Sequence, residues 1–260
     1  MYRGIYTGAS AMLVQEKALD VVANNLANAD SAGFRGRINV NKSFPQLLVS
    51  RIESAQNIPD LSPPKVAPLD DAALNVVLSE TAMMTRRGPI QVTDNPLDVA
   101  IDGEGFFVVQ DAAGNAFYTR AGHFSKNAAG ELVNGDGMPV LGDGGPIALG
   151  DAISCFIDDQ GQVVADGEVI AQLQIVAFER PVYLRQVGRS LLTATPQAGL
   201  PQPAGAVRLV RGALERANVS VVEEMTAMVE ANRAYEMAAR SVTIQDEATG
   251  RLISTFSRVG

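Results

Sequence analysis

Asp98, Asp102 and Glu104 crowd one short run, Leu97-Asp98-Val99-Ala100-Ile101-Asp102-Gly103-Glu104-Gly105. Carboxylates at this density could hold a divalent cation or share a proton as an acid–base pair. The run lacks the alternating Asp spacing of a calcium loop, and no histidine stands in it. Asp102-Gly103 is instead a hairpin-type turn signal, and acidic side chains suit turns because they accept from nearby backbone N–H groups. The one histidine, His123, and the one cysteine, Cys155, share no motif. A thiol nucleophile needs a base beside it, and a Ser-His-Asp site needs a nucleophile elbow. Gly103-Glu104-Gly105 and Gly142-Asp143-Gly144-Gly145 have the glycines of a phosphate cradle. Neither runs into a helix through a third Gly or a Lys-Ser/Thr pair, so both read as turns. Met225, Met228 and Met237 stand at helical spacing and read as packing residues. The expectation is no enzyme, no cofactor, no metal and no small-molecule substrate.

Amides make the more informative cluster. Asn24, Asn25 and Asn28 crowd one stretch, with Asn24 and Asn28 on one helical face. Asn28 suits a helix end; Asn24 and Asn25 suit hydrogen bonds to a neighbouring subunit. The helix that would carry them steps by four and three through Ile5, Ala9, Met12, Glu16, Leu19, Ala23 and Leu26. A second series runs through Val221, Met225, Met228, Asn232, Tyr235, Ala239, Val242, Asp246, Thr249, Ile253 and Phe256. This is the coiled-coil period. The first helix is expected over about Ile5–Asn28, ending at Asn28, Asp30, Ser31 and Gly33, and the second over about Val219–Ser257. Glu16 breaks the first seam, so that end of the chain is expected to fold on association.

Short β-like runs broken by glycine turns lie between the helices: Leu97–Ile101, Phe106–Gln110, Ala116–Arg120, Phe124–Ser125, Glu131–Val133, Ile153–Ile157, Val163–Ala165, Val169–Phe178 and Val207–Leu214. Strands at this spacing predict an antiparallel β domain. Pro59, Pro63, Pro64 and Pro68 predict an extended linker, and Ala72–Met84 is open between short helix and strand. The fold class is therefore α+β: terminal helices pairing as a coiled-coil-like layer, with an inserted antiparallel all-β domain. The expected divisions are 1–34 (helix and turn), 35–84 (connecting region), 85–212 (β domain) and 213–260 (helix).

Composition narrows the partners. The net charge of −8, its acidic excess in the middle of the chain, and the lack of any Lys/Arg run exclude a nucleic-acid surface. No stretch approaches the ~18 apolar residues of a membrane span. One cysteine allows no internal disulfide, and Cys155 reads as a small hydrophobe on a strand. Gly4–Gln15 is uncharged behind Arg3 but flows into the heptad pattern, so it reads as mature helix and not as a removed leader. A glycan-binding or adhesin β module is a remote alternative, weakened by the lack of Trp. A hydrolase built on Asp98–Glu104 is another.

Three blocks carry a resemblance. Ala23-Asn24-Asn25-Leu26-Ala27-Asn28-Ala29-Asp30-Ser31-Ala32-Gly33-Phe34-Arg35 resembles the N-terminal signature of the bacterial flagellar rod and hook (axial) proteins. Asn95-Pro96-Leu97 through Val109, continued by Tyr118–Phe124, resembles their central β motif. Gly212–Glu215, Asn218-Val219, Glu223-Glu224-Met225 and Arg233–Glu236 resemble their C-terminal signature. The resemblance implies a structural subunit of the flagellar basal-body rod, a shaft that transmits torque. Its length leaves the two rod types of similar size, and the runs Pro139–Ile147 and Val222–Thr226 are more similar to the proximal-rod type, with the distal-rod type as the alternative. The implied partners are other rod proteins, copies of itself and the flagellar export apparatus, with no nucleic acid and no membrane insertion. The implied place is the rod crossing the periplasm, reached without a cleaved signal peptide. The residues expected at subunit interfaces are Met12, Leu19, Asn24, Asn25, Leu26, Asn28, Gly33 and Phe34 at one end. At the other they are Asn218, Met225, Met228, Asn232, Tyr235, Val242 and Ile253.

Overall fold

The computed structural model describes residues 2–43, 50–51, 67–68, 76–205 and 207–256. The proline linker, Pro68 apart, lies outside them. Helix α1 spans Tyr2–Ala27 and helix α2 spans Val221–Phe256, with short antiparallel strands between. The segment that could have been helix or strand forms a strand, Val76–Met83, hydrogen-bonded to Arg37–Ser43. Two compact units result: residues 1–21, 39–81 and 227–260 in one, 22–38 and 82–226 in the other.

The first unit joins α1 up to Val21 and α2 from Ala227, packed together, with residues 39–81. Gly4, Gly8, Ala11, Gln15 and Ala18 of α1 are buried or half-buried, stepping by four and three. On α2 the matching positions are Met228, Ala231, Tyr235, Ala238, Val242, Gln245 and Thr249. The 3.5-residue period is the expected one, and Ile5, Met12 and Leu19 of α1 and Met228, Tyr235, Val242 and Thr249 of α2 are half-buried as expected, but the alternate positions shift by one residue: Ala9, Glu16, Asn232 and Asp246 are exposed, and Gly8, Gln15, Ala231 and Gln245 take their places. The cause is glycine. A Cβ built on Gly8 would lie 2.5 Å from Val242 Cγ2, and one on Gly4 would strike the Gln245 amide. The backbones approach where side chains vanish, a contact that a count of apolar residues overlooks.

The second unit is the β body. Its largest sheet orders Arg185–Val187, Leu191–Thr193, Ala116–Thr119, Phe106–Gln110, Ile175–Ala177 and Gln202–Pro203, all antiparallel. Phe106–Gln110 lies centrally and is buried on both faces, which is why it reads as an unbroken apolar run. Phe107 and Val109 point into one core with Phe124, Leu132, Val140 and Ile157. Phe106 and Val108 point into another with Tyr118, Phe178 and Leu192. Few aromatics suffice because they meet edge to face, Phe107 on Phe124 at 5.2 Å and Tyr118 on Phe178 at 4.8 Å between centroids. Cys155 opens the strand Cys155–Ile157 and packs, half-buried, against the first core.

Three local expectations change. Asp102-Gly103 does not close a hairpin: Val99–Asp102 pairs with Arg208–Arg211, while Phe106–Gln110 belongs to the large sheet. The chain turns a corner between sheets at Gly105, whose φ of 143° and closeness to Ile175 leave no room for a side chain. The long run Val169–Phe178 divides into Glu168–Gln172 and Ile175–Ala177, in different sheets, because Leu173 turns into the core between them. Val207–Leu214 likewise breaks at Gly212, with φ of 62°.

Candidate functional site

The carboxylate run does not converge. Asp98 is 3% exposed and accepts from Thr93 Oγ1 at 2.7 Å and Asn95 Nδ2 at 2.9 Å. Its Oδ1 also stands 2.8 Å from His123 Nδ1, so the histidine expected to stand apart does reach this run, across a backbone bridge between the two residues. Asp102 faces outward to Arg87 at 3.5 Å, and Glu104 is exposed. Among the described residues no three His, Cys, Asp or Glu side chains group to hold a metal. Asp98 fastens one loop to another and leaves the other two carboxylates in solvent.

The dense polar chemistry lies at the base of the β body, where the inner ends of both helices join it. Asn28 Nδ2 donates to Asn24 O at 2.8 Å and closes the end of α1, and Gly33 reverses the chain at φ 67°. Gly33 N–H donates to Glu215 O at 2.7 Å, and a Cβ there would collide with the backbone of Ala121. Asn25 is 1% exposed and works with its whole amide. Its Oδ1 accepts from Arg37 N–H at 2.9 Å, while its Nδ2 donates to Arg37 O and to Glu224 Oε1, each at 3.0 Å. Asn218 mirrors it: Oδ1 accepts from Gly36 N–H at 2.7 Å, and Nδ2 reaches Met84 O and Arg86 O. Each side-chain amide thus stands in for a missing strand partner.

Beneath them lies a buried ionic cluster. Glu215, 2% exposed, is held by Arg35 at 2.8 Å and Arg120 at 3.6 Å, both guanidinium side chains being almost wholly buried. Gly88 N–H also donates to Glu215 Oε1 at 3.0 Å. Arg35 donates further to Thr85 O and Arg86 O, and Arg120 to Ile101 O and Gly103 O. Burial holds the Arg35 guanidinium below its ordinary pKa and draws Arg120 down to about 10, against the opposing pull of Glu215. Glu224 is pushed up, first by burial, although the Asn25 hydrogen bond opposes the shift. At the start of α2, Ser220 Oγ accepts from Glu223 N–H at 3.5 Å and caps the helix.

The residues expected at subunit interfaces fall into two groups. Asn25, Asn28, Gly33, Phe34 and Asn218 are buried within the chain, at this base. Asn24, Met225, Asn232 and Ile253 are exposed. Met12, Leu19, Leu26, Met228, Tyr235 and Val242 are half-buried along the helices. Sequence reasoning missed Arg35, Arg120 and Glu215, which lie 85 and 95 residues apart along the chain. Its one available signal was their presence inside the three motif blocks. Replacing Asn25 by Ala strands the Arg37 N–H and Glu224, at about 1–3 kcal/mol for each buried group left unpaired. A urea titration is therefore expected to lose at least about 2 kcal/mol, while an exposed change at Asn24 leaves the midpoint in place.

The comparisons with known proteins fall on the same parts. Residues 5–35 match the model of the flagella basal body rod protein, residues 100–165 that of the flagellar hook protein FlgE/F/G D1 domain, and residues 210–255 that of the flagellar basal body rod FlgEFG protein C-terminal region. Over 260 residues the chain is 34% identical to the flagellar basal-body rod protein FlgG of Agrobacterium fabrum, covering 94% of this chain and 96% of that one. It is 33% identical over 267 residues to the rod protein FlgF of Salmonella typhimurium, covering 96% and 97%. It is also 30% identical over 261 residues to FlgF of Caulobacter vibrioides, covering the whole of both. Arg35, Arg120 and Glu215 come one from each matched region, so the ionic cluster ties all three together.

Proposed function

Because the chain belongs to the flagellar basal-body rod protein family, we propose that its outward-facing helix stripes join it to copies of itself and to other rod proteins, and that it is the FlgF-like, proximal-rod member. It is a structural rod subunit of the basal body, in a family that is not enzymatic. Among the described residues no helix is long and apolar enough to cross a membrane.

The observation that carries the interface is what α2 leaves uncovered. Val222, Val229, Met237, Ile244 and Leu252 recur every seven or eight residues and are 42–74% exposed. Tyr6 and Leu13 of α1 are 68% and 63% exposed. Each helix therefore has an inner seam spent on its mate and an outer stripe with nothing against it among the described residues. Apolar surface of this extent marks an interaction site. One surface meeting a different surface on the next copy builds an open helical filament, and not a closed dimer. In this reading Met225, Asn232 and Ile253 face neighbours. Export as an unfolded chain through the flagellar export apparatus fits a protein whose helices need partners to cover them.

The proximal assignment rests on the runs Pro139–Ile147 and Val222–Thr226. FlgG of Agrobacterium fabrum, at 34% identity, keeps the distal type as the alternative. The test is complementation. The gene is expressed in strains lacking either rod protein, and swimming is scored on soft agar. Rescue of the strain lacking FlgF is expected; rescue only of the strain lacking FlgG reverses the assignment, and rescue of neither ends both.

A further inference from the structure

The outer stripe of α2 is apolar but not chemically uniform. Val222, Val229, Ile244 and Leu252 carry inert hydrocarbon side chains, whereas Met237, between Val229 and Ile244, brings a thioether. Met225, one turn before Val229, brings another. Met237 is 66% exposed and Met225 is 54% exposed. Seven methionines lie among the described residues, and the other five are sheltered. Met83 is buried, and Met12, Met84, Met138 and Met228 are half-buried. The two methionines most open to a solute are therefore the two at outward-facing positions of this helix.

A thioether packs as an apolar group but remains open to oxidation. We infer that Met225 and Met237 are modification sites at which a hydroperoxide switches off assembly of the free subunit. The sulfur lone pair attacks one peroxide oxygen as the O–O bond breaks. An S–O bond forms, the sulfur gives up two electrons, and the proton of the transferred oxygen passes to the other, which leaves as water. The product, methionine sulfoxide, is polar where the thioether was apolar. In the lone subunit water satisfies the new oxygen, so the fold is untouched. Pressed into an apolar contact the same oxygen finds no donor, which is unfavourable. This regulation rests on the outer stripe being the subunit contact. A covered methionine is also shielded, so a finished filament resists an oxidant that stops new copies from joining.

The test uses the full chain, with and without prior treatment by hydrogen peroxide. Sedimentation reads the concentration at which filaments form, peptide masses locate the added oxygen, and circular dichroism checks the fold. A double variant, Met225→Leu with Met237→Leu, runs beside it, since leucine keeps the volume and removes the sulfur. Peroxide is expected to reach Met225 and Met237 ahead of the five sheltered methionines and to leave the helix signal in place. It should raise the concentration needed to polymerise by about tenfold or more. The double variant should be indifferent to peroxide; it keeps Cys155, so an effect through the thiol would persist there. Filaments formed beforehand should take up oxygen at the two positions more slowly than free subunits. Equal polymerisation of the treated and untreated chain overturns the inference, as does an equal loss in the double variant. An untreated chain that never polymerises is a different failure, that of the stripe as a contact, and takes this switch with it.

Discussion

Glu215→Ala is expected to cost about 3–5 kcal/mol of folding free energy, the range for removing one partner from a buried ion pair. The magnitude follows from what is left behind. Arg35 and Arg120 are each about 95% buried, and without the carboxylate they face one another as like charges. Gly88 N–H loses its acceptor as well. In a urea titration the midpoint should fall with little change in slope, since the same surface is exposed on unfolding. A companion variant separates charge from packing: Glu215→Leu with Arg35→Met and Arg120→Met removes all three charges and should recover most of the loss. A loss below about 1 kcal/mol for Glu215→Ala, the level of an exposed pair, would mean that the cluster is not what ties the matched regions together.

The second large effect is on assembly. Ile244→Glu places a charge on the outer stripe of α2, where the side chain is 65% exposed. In the lone subunit it should change stability by no more than about 0.5 kcal/mol. In a filament it buries a carboxylate where an isoleucine would contribute about 1.5–3 kcal/mol, so the concentration needed to polymerise should rise at least about tenfold for every 1.4 kcal/mol lost. Val242→Glu, on the inner seam against Gly8, gives the contrast: it should destabilise the subunit itself. Sedimentation and light scattering read the first property, circular dichroism the second. If the two variants behave alike, the division of each helix into an inner seam and an outer stripe is wrong.

The helices and strands were legible because hydrophobic period survives in a single sequence. Phe106–Gln110 reads as buried strand from composition alone, and the four-three spacing of α2 reads as a seam. The phase of the α1 seam was only partly legible, since Gly4 and Gly8 pack through their lack of a side chain and score as nothing on an apolar count. Long-range polar partners were hidden for a different reason. Nothing local in Arg35, Arg120 or Glu215 says that a carboxylate late in the chain will meet guanidiniums early and midway. The amides Asn25 and Asn218 were visible as unusual, but whether an amide faces a neighbour or its own backbone depends on burial, which spacing does not encode. The corner at Gly105 was misread as a hairpin because turn residues report a change of direction and not which strand lies on the other side.

Glu215 also sets a clock. It is residue 215 of 260, whereas its arginine partners are residues 35 and 120. Chain synthesis runs from the amino end, so both cations are present long before their counter-ion, and the lock of the finished body can form only after residue 215 has been added.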